Sequence, residues 1–147
     1  MTVQTFSWVD NTLFDAKRQP LAVVESGSLQ VGTDSYRITK SGPQGAMGFL
    51  LQVETEAGEV WELRKTTFTT DQLEATCGNR RYVLKKLRPW ARTRAITVRG
   101  GTKIGDLSWR FTGDVKVSLI TDAPLAHVAF LTYGCQLVDA NSRNIKI

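Results

Sequence analysis

Residues Asp122 to Asp139 read DAPLAHVAFLTYGCQLVD, and here the chain abandons the two-residue rhythm that governs what precedes it. Asp122 suits a helix N-cap, and Pro124 suits the first turn, where a missing N–H costs nothing. The spacing therefore predicts a helix over about 123–139. At about 100° per residue, the apolar side chains of Leu125, Val128, Phe130, Leu131, Tyr133, Cys135, Leu137 and Val138 point all round the axis instead of along one stripe. Such a helix has to be surrounded. It does not cross a bilayer: from Leu125 to Val138 it spans about 21 Å against a hydrocarbon core of about 30 Å, and His127, Thr132 and Gln136 interrupt it.

What surrounds it is written upstream. From the N-terminus to about Ile120, apolar and polar residues alternate and turn residues recur every eight to twelve positions, which predicts many short antiparallel strands. Phe49, Leu51 and Val53 alternate with polar neighbours, Glu56 to Glu59 turn, and Trp61 and Leu63 resume the pattern. Ile96 and Val98 lead through the Gly100–Gly101 turn into Ile104, Leu107, Trp109 and Phe111, with Gly105 marking a bulge. Val115, Val117 and Leu119 follow a turn at Gly113. Further strands are expected over Gln4 to Val9, Leu21 to Glu25, Leu29 to Val31, Tyr36 to Lys40, Leu73 to Cys77 and Arg81 to Leu87. One face of each strand is wet.

The chain of 147 residues, 41% hydrophobic with 12 glycines and 4 prolines, is too apolar for disorder and the right size for one domain over 1–147, with no repeat or linker to divide it. Half-wet strands plus an all-round apolar helix imply a mainly β architecture. We expect an antiparallel barrel or strongly curved sheet of about 10–12 strands around one hydrophobic C-terminal helix. Its inner wall is expected from Trp61, Leu63, Ile96, Val98, Leu107, Trp109, Phe111, Val115 and Val117. The barrel is then a core, not a pocket.

A barrel of about twelve strands around a hydrophobic C-terminal helix resembles the Tubby C-terminal-like fold, shared by Tubby domains, phospholipid scramblases and LURP-one-related proteins. The likeness covers most of the chain as pattern. The run Gly58-Glu59-Val60-Trp61-Glu62-Leu63-Arg64-Lys65 is similar to the family's turn, strand and basic end, and Gly101 to Gly105 leads into a strand in a comparable way. The resemblance implies a binding or membrane-proximal module, since Tubby domains bind phosphoinositide headgroups and scramblase relatives act at membranes. No headgroup motif maps position by position, and the scramblases' acidic calcium segment is missing, which counts against scrambling.

Several chemistries are excluded. His127 is the only histidine, so a histidine-held metal or a two-imidazole mechanism is out of reach. His127 and Cys135 lie about 12 Å apart along one helix, too far for a nucleophile and its base. His127 is expected as a neutral, hydrogen-bonded core group. SGPQGAMG at Ser41 to Gly48 lacks the lysine and serine of a phosphate loop and reads as a flexible turn. No metal or other cofactor is implied. Cys77 and Cys135 have no framework spacing, and the N-terminus has no export signal, so a cytoplasmic location, peripheral to the membrane if lipid is the partner, is expected.

The net charge of +5 is unevenly placed. Residues 1–79 carry six basic and ten acidic side chains, 80–103 nine basic and none acidic, and 104–147 four of each. The basic segment holds Arg80, Arg81, Lys85, Lys86, Arg88, Arg92, Arg94, Arg99 and Lys103, with Tyr82 and Trp90 interleaved. Guanidinium forks for phosphate oxygens and rings for bases or a lipid interface make it a candidate anion-binding surface. The competing reading is a rim paired with Glu54, Glu56, Glu59 and Glu62. The functional expectation is a non-enzymatic module docking on anionic lipid headgroups or another polyanion. The alternatives are single-stranded nucleic-acid binding by the same segment and a carboxylate-dependent hydrolase.

Overall fold

The structure, a computed structural model, describes residues 3–44, 48–65, 72–86, 88, 92–110 and 113–144. Alternating sequence becomes alternating burial: Val115, Val117 and Leu119 are buried while Lys116 and Ser118 between them are not, and Leu73, Ala75 and Cys77 repeat the pattern. Twelve strands result: β1 (Gln4–Val9), β2 (Thr12–Asp15), β3 (Pro20–Glu25), β4 (Ser28–Val31), β5 (Asp34–Gln44), β6 (Gly48–Glu54), β7 (Val60–Lys65), β8 (Gln72–Cys77), β9 (Arg80–Lys86), β10 (Thr93–Val98), β11 (Lys103–Trp109) and β12 (Val115–Leu119). Each pairs antiparallel with its sequence neighbours, and β1 also pairs with β12, through Phe6 opposite Val117, so the sheet closes into a barrel with no free edge.

The single helix among the described residues, α1 (Leu125–Asn144), runs inside this wall. Its side chains meet Trp8 on β1, Trp61 on β7, Tyr82 on β9, Arg94 on β10 and Trp109 on β11, and its backbone lies beside β4 and, at Gly134, close to Leu63 on β7. These strands lie on all sides of the barrel, so only the lumen lets one helix reach them. Val128, Phe130, Leu131 and Val138 are buried, each contributing about 1.5–3 kcal/mol of gross burial. Gly134 brings the helix close to β7: a Cβ there would sit 2.7 Å from Leu63 Cδ1.

Some expectations shift. The strand at Thr12–Asp15 is additional, and β5 is longer than Tyr36 to Lys40, running through Ser41–Gln44 where a flexible turn was expected; Gly42, at φ 127°, pairs with Leu50 there. The helix begins at Leu125, two residues later than expected: Pro124 precedes it and offers its carbonyl to Val128 N–H, the first helical bond, which leaves Asp122 outside the cap position. Among the expected wall residues, Val98 and Trp109 are only partly buried; Phe111 and the strand end Leu87 lie outside the described residues. The bulge falls where Gly105 marks it. Ile96 faces Gly105 and Thr97 faces Lys103, so Ile104 is the extra residue. A Cβ on Gly105 would collide with the Ser118 carbonyl oxygen.

No helix among the described residues is long and apolar enough to cross a membrane. The wall itself turns its apolar side chains to the lumen and Glu74, Arg81, Lys85 and Lys116 away from it, the reverse of a barrel built to face lipid.

Candidate functional site

Strand direction divides the basic segment between the two mouths of the barrel. The front mouth is where α1 begins, beside His127; the rear mouth is where its last buried turn, at Asp139, leaves. Strand β9 starts at the front with Arg80 and Arg81 and ends at the rear with Lys85 and Lys86, and the β10–β11 turn carries Arg99 and Lys103 back to the front.

The segment is therefore not one surface. Arg94 is the clearest correction: it is 1% exposed, inside the barrel. Its Nη2 and Nε donate to Asp139 Oδ1 and Oδ2 at 2.7 and 3.2 Å, Trp109 Nε1 donates to Oδ2 at 3.0 Å, and Lys86 Nζ stands 3.8 Å from Oδ1. Arg94 shares the parity of Ile96 and so must face inward, where a charge is tolerable only with a partner. Arg99 is paired with Glu74 at 3.4 Å, and Lys103 with Asp106 at 2.9 Å. Tyr82 is fully buried, so no base can stack on it. Trp90 lies outside the described residues.

What remains at the rear mouth is Lys85 and Arg88, exposed and without an ion pair among the described residues, and exposed Arg92. Arg110, at the end of β11, joins them. The acids once set against the segment are engaged elsewhere: Glu54 with Arg37, Glu62 with Arg64, Glu56 with the Ser35 N–H, and Glu59 with the Trp61 indole at 2.6 Å.

The front mouth supplies what the sequence leaves open about His127, expected as a neutral, hydrogen-bonded group: its partners. Tyr82 Oη and His127 Nδ1 are 2.7 Å apart, and the Trp61 ring meets the His127 ring edge-on at 4.9 Å. Burial pushes the Tyr82 phenol up, so it keeps its proton, and Tyr82 Oη and His127 Nδ1 share one hydrogen bond. Burial, helped by the Arg80 charge and opposed by Glu59, pushes His127 below the ordinary imidazole range. The unfolded chain then takes up a proton near pH 6.5 before the native state does, so stability falls as pH drops through that value and levels off below the lowered native pKa. We expect native protein to lose more melting temperature between about pH 7.5 and 5 than the His127→Gln variant; equal slopes would refute the linkage. The cysteines are not nucleophiles, since burial, with the Glu59 charge, raises the Cys77 thiol and burial pushes Cys135 up to about 12.

Beside this cluster, the β4–β5 and β6–β7 turns enclose a groove of about 340 Å³, lined by Asp34, Ser35, Tyr36, Glu56, Glu59 and Trp61. The Tyr36 and Trp61 rings stack at 4.9 Å along one wall. Alternation places Tyr36 and Trp61 in strands, but it is the pairing of β5 with β6 that brings the two turns, about 20 residues apart, to one opening.

Compared with protein-family models, curated proteins and solved structures, the chain finds no significant match in any of the three.

Proposed function

We propose that the chain is a non-enzymatic binding module of the Tubby C-terminal-like kind that docks on anionic lipid headgroups through Lys85, Arg88, Arg92 and Arg110 at the rear mouth. The observation that carries this reading is the grouping at the rear: Arg94 inside and Arg99 and Lys103 at the front have acidic partners at Asp139, Glu74 and Asp106, whereas Lys85, Arg88 and Arg110 have none among the described residues and share one rim; at the front, Arg80 donates to Tyr82 Oη and Arg81 is exposed. Cations left uncommitted around one rim concentrate positive potential where a flat anionic surface can approach. The fold supports the same reading. A closed twelve-strand barrel with a hydrophobic C-terminal helix in its lumen is the architecture that the Tubby-like resemblance implies, and a filled lumen leaves recognition to the exterior.

The alternatives draw less support. Nucleic-acid stacking loses Tyr82 to the core. Carboxylate hydrolysis has no observation of its own in its favour: two of the three acids lining the groove, Glu56 and Glu59, each hold one oxygen in a hydrogen bond, from Ser35 N–H and Trp61 Nε1.

Vesicles containing phosphatidylserine should retain the protein at low salt and release it as salt rises, while neutral vesicles should not hold it. At about 1 kcal/mol per surface cation, the Lys85→Glu/Arg88→Glu/Arg110→Glu variant should bind about 100-fold more weakly, and Arg99→Glu/Lys103→Glu should bind much as the native protein does. Equal retention on neutral vesicles, or equal loss in both variants, would remove this reading. Retention of a single-stranded oligonucleotide but not of vesicles would put the nucleic-acid alternative in its place.

A further inference from the structure

The groove at the front mouth is lined by acids, and it is built differently from a surface patch. Asp34, Glu56 and Glu59 all line it. The Asp34 carboxylate has no partner among the described residues, and Glu56 and Glu59 each commit one oxygen, to Ser35 N and Trp61 Nε1, leaving the other open. The independent observation is Tyr36. Its side chain is 8% exposed and stacked on Trp61, yet its hydroxyl, in the groove wall, makes no hydrogen bond among the described residues. Burial and the charges of Asp34 and Glu56 push the Tyr36 phenol up, so both carboxylates bear on that hydroxyl and keep it protonated.

We propose that this groove binds an organic cation bearing a guanidinium or primary ammonium group, its N–H donors shared among Asp34, Glu56 and the Tyr36 oxygen and its carbon frame lying along the Tyr36–Trp61 wall. A bare metal ion does not fit: among the described residues no three of His, Cys, Asp and Glu converge closely enough to hold one. The carboxylates are instead spread around a space of about 340 Å³, the scale of a small organic ligand. A quaternary ammonium would satisfy the charge but leave the Tyr36 hydroxyl and the carboxylates without donors. The site is independent of the lipid reading, since it lies at the other end of the barrel with the other sign of charge.

The test is an NMR titration at constant ionic strength, following the Trp61 indole N–H and the Tyr36 ring. N-acetylarginine amide should shift both signals saturably, whereas N-acetylcitrulline amide, of the same shape without the charge, should not. Asp34→Asn/Glu56→Gln should weaken binding by about tenfold or more, and Tyr36→Phe should weaken it several-fold, with the rest of the spectrum unchanged to show that the fold is intact. Spermidine, run in parallel, separates the sources: saturation at lower spermidine concentration assigns a free polyamine, and at lower arginine-amide concentration a basic side chain of a protein partner. An equal response to the citrulline compound, a response unaltered in the double variant, or no response to either cation would overturn the proposal.

Discussion

Replacing Leu131 with arginine should leave no folded protein at 25 °C. Leu131 is 1% exposed on the lumenal helix, between the buried Phe130 and Thr132, and the wall encloses it on every side. A guanidinium introduced there cannot reach water by swinging outward, as it could on a helix packed against a sheet from outside. Nor is there a second buried acid among the described residues to meet it, and Asp139 already serves Arg94, Trp109 and Lys86. The cost of about 5 kcal/mol or more for an unpaired buried charge is comparable with the whole stability of a domain of this size. By contrast, Arg99→Ala, which breaks only an exposed pair with Glu74, and Lys116→Ala, on the outer face of β12, should each change stability by about 0.5 kcal/mol or less. Thermal unfolding followed by circular dichroism distinguishes the cases, and similar melting temperatures for all three variants would mean that the helix is not enclosed.

The enclosure was legible because it depends on two periods that survive without tertiary information. Alternation at Phe49, Leu51 and Val53 or at Val115 and Val117 needs only one buried face, and the all-round apolar surface of 125–138 needs only a container. Thr12–Asp15 was missed because four residues with one buried position, Leu13, offer too short a pattern to detect. The basic segment misled for a different reason. Its charges were counted along the chain, but parity and strand direction decide where each one goes: Arg94 follows Ile96 inward, and β9 separates Arg81 from Lys85 by the length of the barrel. The parity of Arg94 could have been read from Ile96 alone. Its partner could not, since Asp139 lies 45 residues away and meets it only once the helix is threaded through the closed wall. The groove at the front mouth has the same origin, because Asp34 and Glu56 come together through the hydrogen bond of Ser35 N to Glu56 across the β5–β6 pair, a contact with no local sequence signal.

Asp139→Leu should cost about 3–5 kcal/mol, and the double variant Arg94→Met/Asp139→Leu should recover at least half of that loss. Besides Gln136, which donates to the Asp10 carbonyl at the β1–β2 turn, three polar positions of the helix find partners on the strands. His127 meets Tyr82, Thr132 accepts the Trp8 indole at 2.6 Å while donating to the Val128 carbonyl, and Asp139 receives Arg94 and Trp109. At about 1.5 Å per residue these rungs are spaced by about 7.5 and 10.5 Å, so sliding the helix by one turn, about 5.4 Å, would break all three together. Apolar contacts alone would tolerate such a slide far better, because a lumen lined with leucine and valine offers similar surfaces at successive heights. The Asp139 rung has the greatest effect, since removing the carboxylate strands a guanidinium 1% exposed, whereas Lys86, with 13% of its side chain exposed, can swing out to water. Replacing both partners with apolar groups removes the stranded charge and leaves only the Trp109 N–H to find another acceptor. Urea unfolding at two salt concentrations provides the measurement. The coupling should persist at high salt because the pair is shielded from mobile ions, and additive losses in the two single variants, or a coupling that salt abolishes, would show that this pair does not hold the helix in register.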